Sequence, residues 1–255
     1  MATPGRRVYF RRRVAACTGI GYHSGMDAER IRLNIANVHH RVSTAAEKVG
    51  RRADDVTVMA VSKTRSSDEV RTAVAAGLRD LGENYLQEAL EKRQATADLD
   101  ARWHFIGPIQ SNKTRAIAEH FDWVHSVDRE KIARRLNEQR PDNLPPLDIC
   151  LQVNVSLEDS KSGVAPEDLA ALAQAIRYLP RLRLRGLMAI PAPTDDVAAQ
   201  RAAFARVRTL FGALQETVPT MDTLSMGMSA DLESAIAEGA NLVRIGTDIF
   251  GPRSG

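Results

Sequence analysis

The sequence predicts a single α/β domain built as a (β/α)8 barrel, and three observations carry that expectation. Eight short β-branched or apolar runs alternate with stretches of helical period, which demands parallel strands joined by helical crossovers. Eight such units in about 230 residues match one closed TIM-type barrel. An open doubly wound sheet usually carries a G-x-G-x-x-G turn after its first strand, and no such turn is present.

The elements follow in order. Met26 and the stretch DAERIRLNIANVHHRV open the domain as a helix. VTVMAVS (56–62) is a nearly unbroken apolar run of the kind that becomes a fully buried strand, and it ends on Lys63. Ser66 and Glu69 then form an S-x-x-E capping box. Val70, Ala73, Val74 and Gly77 keep the helical period, with Gly77 placed to end the helix. RDLG (79–82), WHFIG (103–107) and WVHSV (123–127) read as the next three strands. RPDNLPP (140–146) is a loop before DICLQVNV (148–155), and no segment has the length of an interdomain linker. Leu169, Leu172, Ala173 and Ile176 repeat the helical period ahead of RLRGLMAI (183–190). TLSMG (223–227) leads to Ser229, placed to cap ADLESAIAEG, with Asp231 in its first turn and Gly239 at its end. LVRIG (242–246) is the eighth strand.

Composition narrows the function class. The net charge of +3 comes from residues 1–25, which hold five arginines and no acid. Residues 26–255 carry 30 basic and 32 acidic side chains, a net −2, so the body has no bulk attraction for nucleic acid. The 1–25 segment lacks an apolar signal core and reads as a basic, disordered extension, with a transit peptide as the alternative. Residues 26–255 form the barrel domain. No apolar run is long enough to span a bilayer. Cys17 and Cys150 stand far apart, which favours a reducing, cytoplasmic setting over a disulfide scaffold or zinc site.

In such barrels the loops at the C-terminal strand ends form the active face. SMGMSADL brings Ser225, Gly227, Met228 and Ser229 to the seventh strand end, and RIGTDIFG brings Gly246 and Thr247 to the eighth. Small residues let backbone N–H groups approach an anion, so the two segments read together as a phosphate cup. Lys63 on the same face is then a candidate amine for a phosphorylated aldehyde, desolvated by the apolar approach VTVMAV. The histidines are weaker candidates. His39 and His40 are adjacent on one helix and diverge, while His104 and His125 suit packing as well as ligation. Lys113 and Lys161 read as loop lysines. No H-E-x-x-H, metal-type carboxylate cluster or G-x-S-x-G elbow occurs, so neither a metal nor a nucleophile site is expected.

AVSKT, GENYLQEAL, WHFIGPIQSNK, VHSVD, LQVNVSLEDSKSG, LRGLMAIP, SMGMSADLESAI and VRIGTDIFG, in that order, resemble the pyridoxal phosphate homeostasis proteins of the YggS/PROSC type. The resemblance runs from about Met26 to Arg253 and implies a barrel like the N-terminal domain of alanine racemase. It implies pyridoxal 5′-phosphate (PLP) as cofactor, held as a reversible aldimine on Lys63. Ser225, Met228, Ser229, Gly246 and Thr247 would surround the phosphate. Arg244 would lie near the pyridine nitrogen, and Asn84 and Met188 would line the pocket. It further implies a monomer that holds PLP for vitamin B6 homeostasis, with PLP-dependent apoenzymes as possible recipients and no catalytic residue. The racemases need a second base from an additional domain, which is not expected here. Two other readings stay open: a small PLP-dependent amino-acid racemase, and a PLP-free barrel using Lys63 for aldolase-like chemistry. Asp248 stands where relatives carry a small residue, and would weaken PLP binding if it pointed inward.

Overall fold

A computed structural model of the chain describes residues 20–155 and 162–252, with side chains from residue 27 onward. Residues 1–19 of the expected extension, Lys161 and Arg253 lie outside the described residues. Helix α1 (Ile20–Glu47) is already formed at Ile20, ahead of the expected Met26, since propagation adds one hydrogen bond per residue fixed once a helix is nucleated.

The remaining elements alternate. They are β1 (Thr57–Val61), α2 (Ser67–Ala75), β2 (Asp80–Glu83), α3 (Leu86–Ala95), β3 (Arg102–Phe105), α4 (Thr114–His120), β4 (Trp123–Val127) and α5 (Glu130–Gln139). Then come β5 (Leu147–Val153), α6 (Leu169–Ile176), β6 (Leu182–Ala189), α7 (Val197–Gln215), β7 (Thr223–Ser225), α8 (Leu232–Ala237), β8 (Leu242–Ile245) and α9 (Thr247–Phe250). The strands pair in parallel in sequence order and β8 closes on β1, giving the expected (β/α)8 barrel.

Local chemistry sets the boundaries. The capping box forms: Glu69 N donates to Ser66 Oγ at 3.2 Å, and Ser66 N donates to Glu69 Oε2 at 2.7 Å. Gly77, at φ +103°, turns the chain out of α2. β7 stops at Ser225 because Gly227 has φ +95°, outside the strand region. α8 also corrects an expectation, since its N-cap is Asp231 and not Ser229. The Asp231 side chain caps no amide of α8 and instead accepts the Met228 N–H at 2.6 Å, closing the 228–231 turn ahead of the helix.

Two cores hold the barrel. Outside the strands, Val58, Ala60 and Leu81 belong to one buried apolar cluster with Val70, Ala73 and Val74 of α2 and Leu169, Leu172, Ala173 and Ile176 of α6. α1 adds the stripe Ile31, Ile35, Val38, Val42 and packs on α2, α8 and α9, across the β8–β1 seam. Inside, Trp123, Cys150 and Met188 form a separate buried cluster, with the His104 and His125 rings against Trp123.

Strand closure depends on Gly186, paired with Thr223 between β6 and β7. A Cβ there would sit 1.7 Å from Thr223 O. Gly186→Ala is therefore expected to destabilise the fold by about 1–3 kcal/mol or more in chemical denaturation. Gly212, exposed within α7 with open space around it, gives the opposite sign. Gly212→Ala is expected to stabilise by roughly 0.5–1 kcal/mol in the same assay.

Candidate functional site

Lys63 lies two residues beyond β1, in a turn built under restraint. Val61 pairs with Gly82, and Ser62 N donates to Gly82 O at 3.0 Å, which aligns the Lys63 turn with Asn84 after β2. Strand alternation puts Met59 and Val61 on one face of β1, and Ser62 reaches Glu83 on the other side, with Lys63 following in the turn. Thr64 holds φ +62°, a strained value for a β-branched residue.

A buried ionic cluster holds both neighbours of Lys63. Ser62 Oγ donates to Glu83 Oε1 at 2.6 Å, and Lys92 Nζ donates to Ser62 O and, at 2.8 Å, to Glu83 Oε1. Lys92 also pairs with Glu88 at 2.6 Å, and Glu88 Oε1 in turn accepts the Thr64 N–H. Burial is the largest influence on Glu83 and raises its pKa, with Lys92 and Ser62 pulling it back. The lysine that matters for position is thus Lys92, whose sequence context LQEALEKRQA reads only as an ordinary helix face.

The segments expected to form the cup lie beside this turn because β8 closes on β1. Ala60 pairs with Ile245, and the Gly246 Cβ position is 3.4 Å from Val61 O. Gly246 is the N-cap of α9, so the first amides of that helix, from Thr247 and Asp248, have no intrahelical acceptor. β7 delivers the other wall, with Arg244 N bonded to Gly227 O at 2.9 Å. Ser229 is half-buried and Met228 exposed in the 228–231 turn, and the Met228 N–H is committed to Asp231.

Three expected site residues sit deeper. Ser225 is fully buried, its Oγ bonded to His125 Nδ1 at 2.9 Å and to Arg244 Nη1 at 3.0 Å. Met188 is fully buried against Trp123 and Cys150. Arg244 is buried as well, donating to Ser225 O and to Ala189 O, and its pKa is pushed down to about 10 by burial. It therefore stays a guanidinium near neutrality. The second Nη2–H and the Nε–H have no acceptor among the described residues.

Asp248 points away from the cup. Its carboxylate pairs with Arg41 of α1, which also bonds Glu233 at 2.7 Å and Ser229 O at 2.9 Å. Arg41 thus fastens both cup segments from outside, a role its position in an ordinary amphipathic helix does not announce. His104 and His125 are packed inside the barrel as consecutive members of a buried hydrogen-bond chain running to Asp80. No group of three or more metal-ligating side chains occurs among the described residues. His39 and His40 are both exposed on α1, and Lys113 is exposed before α4.

Comparison with known proteins gives consistent matches. The family model described as alanine racemase, N-terminal domain, matches residues 33–254. The pyridoxal phosphate homeostasis protein of Pseudomonas aeruginosa is 66% identical over 86% of this chain and 94% of its own length. That of Escherichia coli K12 is 50% identical over 86% of this chain and 95% of its own. PipY of Synechococcus elongatus, solved with PLP bound, is 39% identical with a TM-score of 0.74, covering 84% of this chain and all of PipY.

Proposed function

Because this chain belongs to the alanine racemase N-terminal domain family, and within it to the pyridoxal phosphate homeostasis proteins, we propose that it binds PLP and serves its homeostasis as a holder of the cofactor. The observation that carries the reading is the closure of β8 on β1. It brings the end of β1, from which the Lys63 turn leads off, close to Gly246, which supports reading Lys63 as an amine near an anion cup.

The donor set fits the group. Asn84 Oδ1 is buried and has no hydrogen-bond partner among the described residues, and Arg244 has N–H groups to spare. When bound, PLP supplies a reactive aldehyde and an electron-accepting ring. Lys63 would hold the aldehyde as a reversible Schiff base, and the Gly246 and Thr247 segment with Ser229 would hold the phosphate. Ser225 and Met228 contribute in a changed sense, Ser225 by holding Arg244 and Met228 by closing the turn. Asn84 and Met188 would bound the ring's space. Arg244 would donate to the pyridine nitrogen. A guanidinium keeps its proton, so with Arg244 there the ring nitrogen would stay unprotonated and the ring would be a weak electron sink. That favours holding over turnover.

The wider role follows the same logic. The holder would act as a monomer in the cytoplasm, releasing PLP to PLP-dependent apoenzymes. No described helix is long and apolar enough to cross a membrane. Titration with PLP should give a saturable visible absorption that borohydride bleaches, and a protein that stays colourless at excess PLP overturns the reading. Incubating the loaded protein with several amino acids in deuterium oxide separates holder from racemase. Exchange at the α-carbon on the scale of enzyme turnover, roughly 1 s⁻¹ or faster, contradicts the holder.

Asp248 gives a further expected result. With its carboxylate engaged by Arg41 outside the cup, Asp248→Thr should leave the PLP dissociation constant within about twofold, since partly exposed pairs contribute little. A tenfold gain in affinity would mean that the carboxylate faces the phosphate.

A further inference from the structure

The barrel interior carries a hydrogen-bond chain that the binding of PLP does not by itself require. Arg244 Nη1 contacts Ser225 Oγ at 3.0 Å, and Ser225 Oγ contacts His125 Nδ1 at 2.9 Å. His125 Nε2 contacts His104 Nδ1 at 2.9 Å, and His104 Nε2 contacts Asp80 Oδ1 at 2.8 Å. Asp80 Oδ2 accepts from Arg102 Nη2 at 2.7 Å. Asp80, His104, His125, Ser225 and Arg244 are all buried. Asp80 and Arg102 lie at strand starts, where a cavity of about 230 Å³ opens at the floor of the barrel. The chain thus begins at the face opposite the cup and ends on Arg244.

The direction of every proton in the chain follows from its two ends. An ionised Asp80 only accepts, so His104 carries its proton on Nε2. His104 Nδ1 is then a lone pair, and His125 must donate from its own Nε2. His125 Nδ1 is left as an acceptor, so the Ser225 hydroxyl donates to it. Ser225 Oγ consequently turns a lone pair toward the Arg244 N–H. The opposite order would make His104 an imidazolium and leave the Ser225 proton without an acceptor. Burial, with the Arg244 cation adding to it, holds His125 well below the usual imidazole range, in keeping with a neutral ring. Asp80 ends below the usual carboxylate range, the bonds from His104 and Arg102 outweighing the upward push of burial.

We propose that Asp80, His104 and His125 are positioning residues, a proton-ordered chain that fixes the Ser225 lone pair on Arg244 and so aims the spare guanidinium N–H groups at the ring nitrogen of the bound pyridine ligand. The part concerning the ligand rests on the PLP reading above, while the proton order stands on the chain alone. The polarity also suits the ends: each donor dipole points from the cation at Arg244 toward the anion at Asp80.

The test has two arms. In the PLP-free full-length protein labelled with ¹⁵N-histidine, two-bond proton–nitrogen correlation spectra at neutral pH should show His104 and His125 each as a single neutral ring protonated on Nε2. An Nδ1-protonated His125, or an imidazolium at either ring, overturns the proposal whatever PLP does. In the second arm, Asp80→Asn and His104→Gln are titrated with PLP. Both should mix the His125 tautomer populations, shift the visible band of the bound PLP, and raise its dissociation constant about tenfold, while borohydride still fixes PLP to Lys63. Unchanged band and affinity in a folded variant overturn the positioning role. Failure of the wild-type protein to bind PLP overturns the cofactor reading instead, and the first arm still decides the proton order. If one variant does not fold, the other carries the second arm.

Discussion

Lys63→Ala is expected to abolish covalent retention of PLP and to weaken binding at least about a hundredfold, or about 2.7 kcal/mol. The loss follows from removing the only atom proposed to bond the aldehyde, while the phosphate contacts at Gly246 and Thr247 remain. Residual binding should therefore be detectable by equilibrium dialysis at high PLP, without the borohydride-sensitive band. Lys63→Arg should behave like the alanine variant, since a guanidinium keeps its charge but offers no amine for the linkage. Neither change should cost much stability. The turn is held at Ser62 and Thr64 by Lys92, Glu83 and Glu88, contacts that both changes leave in place. A Lys63→Ala protein that keeps the visible band would place the reacting amine elsewhere.

The second large effect is structural. Lys92→Met is expected to destabilise the protein by about 3–5 kcal/mol, because it leaves the fully buried Glu83 carboxylate without its cation. Breaking one side of a buried pair costs more than replacing the pair, so Lys92→Met with Glu83→Gln should recover a large part of that loss in chemical denaturation. The single variant should also bind PLP poorly even where it is folded. It frees Ser62 O and loosens the strained Thr64 backbone on the other side of Lys63. If the single and double variants were equally unstable, the cluster would be supplying packing and not charge compensation.

These two lysines mark how far the sequence could be read. Lys63 was legible because an apolar strand ended on it and the cup segments had fixed places in a barrel. The strands themselves were legible because β-branched runs alternating with a 3.6-residue period are a local signal, and all eight appear within a few residues of their expected bounds. Lys92 was not legible. An E-K spacing on a helix normally means a solvated face, and only the folded chain brings α3 under the Ser62 turn.

The interior chain was illegible for the same reason. Strand alternation can say that His104 and His125 share an inward parity with Ser225 and Arg244. It cannot say which of them touch, because contacts across a barrel depend on stagger between strands 20 to 100 residues apart in sequence. Ser229 misses the cap position because Ser and Asp are both common at helix starts and α8 begins two residues later, after Asp231. Asp248 was open for lack of a partner, and Arg41, distant in sequence on α1, supplied it.

One amine, just past the end of the first strand, is proposed to carry the cofactor. Reducing the PLP-loaded wild-type protein with borohydride and mapping the modified peptides by mass spectrometry tests it most directly. The prediction is a single stoichiometric adduct on the peptide containing Lys63. An adduct on another lysine, or label spread across many lysines with Lys63 unmodified, would contradict it.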